Sequence, residues 1–128
     1  MKVASILGIT ASLVLTCTAA VAHHSFAMFD LGKNVTVEAA IKEVQFTNPH
    51  VWLQILVKDG DGVETEWSIE SGAPGMMLRN GWKPSTLKAG DKVTLTMHPL
   101  RNGKPGGSLV SVKVPDGRVL GPGAPPSN

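Results

Sequence analysis

The sequence predicts an all-β fold, a small five-stranded OB-like barrel with one short helix between strands 3 and 4. Three observations lead there. Short apolar/polar alternations recur between Gly- and Asp-rich turns from residue 35 to residue 120. The first alternation changes phase partway, as a strongly bent strand does. The only helical signal falls between the third and fourth strands, and five strands with a helix at that point match the OB order. The competing architecture is a generic five- or six-stranded sandwich, which only the bend and the helix position separate from the barrel.

In the first strand Val35, Val37, Ala39 and Ile41 alternate with Thr36, Glu38 and Lys42 nearby. Val44 and Phe46 then take up the opposite phase, and a slip of one residue reads as a bulge or bend. Asn48-Pro49 ends the strand. The second strand, 50–58, puts Val51, Leu53, Ile55 and Val57 on one face and His50, Trp52 and Gln54 on the other. Asp59-Gly60-Asp61-Gly62 is a hairpin turn. The third strand, 63–70, turns Val63, Trp67 and Ile69 inward and Glu64, Glu66, Ser68 and Glu70 outward.

Pro74 can open a short helix carrying Met76, Met77 and Leu78, with Asn80-Gly81 as its stop. The turn 88–91 feeds a fourth strand in which Val93, Leu95 and Met97 alternate with Lys92, Thr94, Thr96 and His98. A loop over 101–107 precedes a fifth strand marked by Val110, Val112 and Val114. The Gly/Pro-rich tail 121–128 reads as disordered.

The N-terminus has a different composition. Lys2, an apolar run from Val3 to Leu15 and the A-x-A site Ala20-Val21-Ala22 form a secretory signal peptide over 1–22. The run is short for a membrane span, which needs roughly 20 residues. Thr16 before Cys17 fits poorly with lipidation, where a small residue normally precedes the cysteine. Cleavage after Ala22 leaves 106 of the 128 residues: an N-terminal segment 23–34, the barrel 35–120 and the tail. It removes Lys2 and Cys17, the only cysteine, so 11 basic residues face 10 acidic ones and no disulfide is available. A net charge of +1 without a Lys/Arg cluster speaks against nucleic acid. The expected location is the periplasm, with no membrane span after cleavage.

The segments HHSFAMFD, VQFTNPHVWLQI, EWSIESGAPGMMLRNGW and LKAGDKVTLTMHPLRNGKPGG together resemble an uncharacterised family of small exported bacterial proteins, a domain of unknown function. The likeness extends over most of 23–120. Its landmarks include His23, His24, Ser25, Phe26, Asp30, Asn48, Pro49, His50, Trp67, Gly81, Trp82, Gly90 and Asp91. The resemblance implies an exported single domain and no particular chemistry. A looser, architectural similarity links the chain to small periplasmic OB-fold proteins, among them a haem chaperone and stress-related binding modules; fold alone does not imply function.

Four histidines are the candidate metal ligands: His23, His24, His50 and His98. Cleavage after Ala22 would give His23 a free α-amino group, and that amine with the ring Nδ1 and a second imidazole forms a three-nitrogen set. Nitrogen ligands in tetragonal geometry favour Cu(II), so copper is the expected cofactor if there is one. By strand parity His50 and His98 lie on polar faces, open to a metal or simply solvated. Met28 could add a thioether, whereas Met97 belongs to the core phase.

A second class of site uses Trp52 and Glu66 on the outer face of strands 2 and 3, a common OB-fold binding surface. There Trp52 could stack on a planar ligand. Against it, the N-terminal segment could lie across this sheet through Phe26 and Phe29, covering Trp52 and bringing His23 and His24 near His50. No cysteine nucleophile remains and no Ser-His-Asp set has supporting context, so an enzyme is not the expected class. The expected function is an exported binding or accessory module, its partner an envelope protein or a small ligand.

Overall fold

Two adjacent glycines close this molecule into a barrel. The computed structural model describes residues 26–123. It contains β1 (Val35–Gln45), β2 (Trp52–Lys58), β3 (Glu64–Glu70), α1 (Pro74–Arg79), β4 (Lys92–Pro99), β5 (Gly106–Lys113) and a two-residue β6 (Val119–Leu120). Strand order is β3-β2-β1-β4-β5-β6, and β3 also pairs with β5 in parallel. That last pairing joins the two ends of the sheet, giving a closed five-stranded barrel with β6 added beside β5, as the OB-like order requires.

Closure needs backbones closer together than side chains allow. A Cβ on Gly106 would lie 2.5 Å from the carbonyl oxygen of Ser68, and its φ is +153°. A Cβ on Gly107 would run into the carbonyl of His98 and the Met97 side chain. Glycine is therefore required where β5 slides between β4 and β3.

The bend expected in β1 is present. Its register against β2 shifts between Ile41 and Glu43, so Lys42 is the bulged residue. One strand thereby pairs with β4 over Val35–Ala40 and with β2 from Ala39 onward. A second bulge corrects the reading of β5. Met97 pairs with Leu109 and Thr96 with Ser111, leaving Val110 as the extra residue. Leu109, Val112 and Val114 are buried in place of the expected Val110, Val112 and Val114 series. Val63 is another departure: it belongs to the hairpin turn, its N–H donating to Asp59 Oδ1 at 2.9 Å, and it is largely exposed.

The core fills the barrel with Ile41, Val51, Leu53, Ile55, Ile69, Val93, Leu95, Met97 and Val112. The helix end contributes Met77 and Trp82 to it. Gly81 has φ +89°; its N–H donates to Leu78 O and that of Trp82 to Met77 O at 3.1 Å, the pattern of a Schellman cap. Both apolar partners of this cap are buried, so the turn that stops the helix also plugs the barrel.

The chain after Leu120 packs back on the barrel over Gly121–Gly123. The Trp82 indole N–H donates to Gly121 O at 3.0 Å, and Pro122 and Gly123 pack over the start of α1. Residues 124–128 lie outside the described residues, as do 1–25 with His23 and His24. Among the described residues no helix is long and apolar enough to cross a membrane.

Candidate functional site

The N-terminal segment forms an outer layer on the barrel. A 3₁₀ turn, Phe26–Met28, leads into Phe29, which bridges to Leu100 in antiparallel register. Asp30 N–H donates to Pro99 O at 2.8 Å and Arg101 N–H to Met28 O at 3.0 Å. The Arg101 Nε donates to Ala27 O at 3.1 Å. His98 completes the tether: its Nδ1 lies 3.0 Å from Lys33 O. A carbonyl can only accept, so Nδ1 carries the proton, and in the neutral ring the lone pair is on Nε2. Phe29 is only 4 % exposed yet stands outside the core cluster, so it is buried by the outer layer.

Beneath this layer is a cavity of about 320 Å³. Phe26, Phe29, Ala73, Met76 and Pro122 give it apolar walls, and His50, Glu70, Ser71 and Ser108 supply the polar ones. Glu70 is its least expected member. Strand parity correctly turns it away from the barrel interior, beside Ile69, but it is not solvated as Glu64 and Glu66 are. It pairs with Trp52 of β2 on one side and Ser108 of β5 on the other, with the outer layer beyond. Only 6 % of the residue is exposed, and Oε2 is buried with no hydrogen-bond partner.

His50 stands next to that carboxylate. Its Nδ1 is 3.1 Å from Ser71 O and 3.5 Å from Glu70 Oε1. Nδ1–H therefore donates to Ser71 O, which fixes the tautomer and leaves Nε2 as the ligating nitrogen. The strand ends are set by Val51 N–H to Gly72 O at 2.9 Å and Ser71 N–H to Val51 O at 2.8 Å. This pair of bonds holds His50 at the level of Glu70. A smaller depression of about 240 Å³, lined by Glu38, Lys58, Glu64 and Lys92, carries both signs of charge at an open surface. It lacks any buried unpartnered group.

The sequence candidates are thus distributed over several places. His50 lines the cavity, and His98 anchors the outer layer through Lys33. Among the described residues no three His, Cys, Asp or Glu side chains gather as a metal-binding group. A copper site would therefore need donors from His23 and His24. Trp52 and Glu66 lie four positions apart along the β2–β3 ladder, Trp52 pairing with Glu70 and Glu66 with Leu56. Glu66 is also engaged by Lys42 Nζ at 2.6 Å, an exposed ion pair. That hydrogen bond and charge hold the Lys42 amine above its ordinary pKa. Alternation puts Glu70 on the outward phase of β3 and no more; its burial depends on a segment some 40 residues earlier in the chain.

No curated protein and no solved structure matches this chain. The model of a family of unknown function, DUF6152, matches residues 11–109, and the chain belongs to that family.

Proposed function

We propose that the protein is an exported binding module of the bacterial envelope, with its ligand site in the cavity beneath the N-terminal segment. The observation that carries this reading is Glu70 Oε2, a buried carboxylate oxygen without a partner on the wall of an apolar cavity. Such a group is costly unless something meets it, and a largely apolar cavity with a few polar groups is the usual form of a small-ligand site. Periplasmic location is supported by Lys2, the apolar run and Ala20-Val21-Ala22. Intact mass of protein isolated from the periplasm should correspond to a chain beginning at His23. Small aromatic probes such as phenethyl alcohol should shift the amide resonances of Phe29, Glu70–Ala73 and Ser108. Absence of saturable binding at millimolar probe would contradict the site.

A second reading, copper binding, draws on the His50 tautomer. Its Nε2 is free to ligate, and His24 precedes Phe26, a cavity residue, by two positions. Two residues span at most about 7 Å and three about 10 Å, so chain length is compatible with His24 and His23 serving this site. In this reading His23 supplies its α-amine and ring nitrogen, His50 a further imidazole, and His98 stays in the donor set through its own Nε2. Correctly processed protein should bind one Cu(II) with a tetragonal, nitrogen-rich electron paramagnetic resonance spectrum. A chain extended by one residue before His23 should lose most of that affinity; equal affinity contradicts the terminal-amine site.

A further inference from the structure

We propose that the Glu70 cavity binds an organic ammonium ion, a protonated amine on a small apolar body. The proposal rests on the cavity reading above and names its ligand. Glu70 presents one oxygen, Oε2, that is buried and meets no donor. His50, the only other ionisable side chain on the wall among the described residues, has its Nδ1–H directed to Ser71 O, and its distance of 3.5 Å to Oε1 leaves Oε2 unmatched.

An N–H donor that also carries positive charge suits such an oxygen best, since charge-assisted hydrogen bonds are roughly twice as strong as neutral ones. The rest of the wall selects among cations. Phe26 and Phe29 line the cavity, and aromatic rings there suit both a cation and its apolar body. A hard metal cation needs six or more oxygen ligands, and these walls provide one carboxylate. Among the described residues no Lys or Arg lines the cavity, and the Glu70 carboxylate disfavours an anion there. About 320 Å³ is room for roughly ten non-hydrogen atoms, taking about 30 Å³ for each water-sized unit. Phenethylammonium is of that size.

The test compares phenethylammonium with phenethyl alcohol by titration calorimetry, with EDTA present to remove metal. The ammonium ion should bind at least tenfold more tightly than the alcohol. Glu70→Gln should abolish that preference while leaving alcohol binding in place. Ala73→Leu narrows the cavity and retains Glu70, and it should weaken both ligands. Equal affinities for the two compounds overturn the ammonium proposal and leave the cavity site standing. No binding of either overturns both. If Glu70→Gln does not fold, Ala73→Leu decides alone: full ammonium affinity in a folded variant places binding elsewhere and overturns the proposal.

Discussion

Glu66 and Glu70 stand on the same face of β3, four residues apart, and live in opposite surroundings. Glu66 is nearly half exposed and meets Lys42 at 2.6 Å; Glu70 is buried with one oxygen unmatched. The difference comes from topology. At Glu66 the strand has β2 alone as neighbour, whereas Ser68, Ile69 and Glu70 also pair with β5. Beyond that junction Phe29 and Pro122 cover what would otherwise be open face. An identical residue type in an identical strand phase is a solvated ion-pair partner in one half of the strand and a candidate ligand group in the other.

The largest way to break this contrast is to reopen the barrel. Gly107→Ala puts a methyl group against the His98 carbonyl, and overpacking of this kind against backbone should lower unfolding free energy by about 3 kcal/mol. Urea denaturation measures it; an unchanged midpoint would mean that β5 does not need this close approach. Phe29→Ala acts next, removing the roof. A loss of about 2–3 kcal/mol is expected, since the ring is buried by a single layer. Faster hydrogen exchange at the amides of 98–101 should accompany it.

The same substitution at the two glutamates sharpens the comparison. Glu70→Met removes a buried carboxylate oxygen that has no hydrogen-bond partner and should stabilise the ligand-free protein by about 1 kcal/mol. Glu66→Met removes one side of an exposed pair and should change stability by no more than about 0.5 kcal/mol. Equal effects at both positions would erase the contrast. The smallest expected effect concerns pH. Lys42 has a raised pKa in the fold, caused first by its hydrogen bond to Glu66 and then by that carboxylate's charge. Its contribution is therefore fully present below the ordinary lysine value of 10.5 and is lost as pH rises through the higher folded value. The difference between wild type and Lys42→Met should stay constant from about pH 6 to 9 and shrink only in strong alkali.

Much of the fold was legible locally. Alternation located the strands, the phase slip at Ile41–Val44 located the β1 bulge, and Pro74 with Asn80-Gly81 bounded the helix. What stayed hidden was set by distant chain. The bulge at Val110 depends on how β5 meets β4, and the valine series alone points to the wrong residue. Gly121–Gly123 reads as loose chain until Trp82, 39 residues away, donates to it. The candidate site was half legible for the same reason. Parity put His50 on the outer face, and the apolar Phe29 suggested a segment that packs on the barrel, although Phe26 stays largely exposed. The burial of Glu70 could not be inferred, because alternation tells which way a side chain points and not what covers it.

The most direct measurement is an amide chemical-shift map recorded while phenethylammonium is titrated into isotopically labelled protein. Saturable shifts confined to Phe29, His50, Glu70–Ala73 and Ser108, lost in Glu70→Gln, are the predicted result. Shifts centred on Trp52 and Glu66, or spread over both glutamate environments alike, would contradict the claim that Glu70 marks the ligand site.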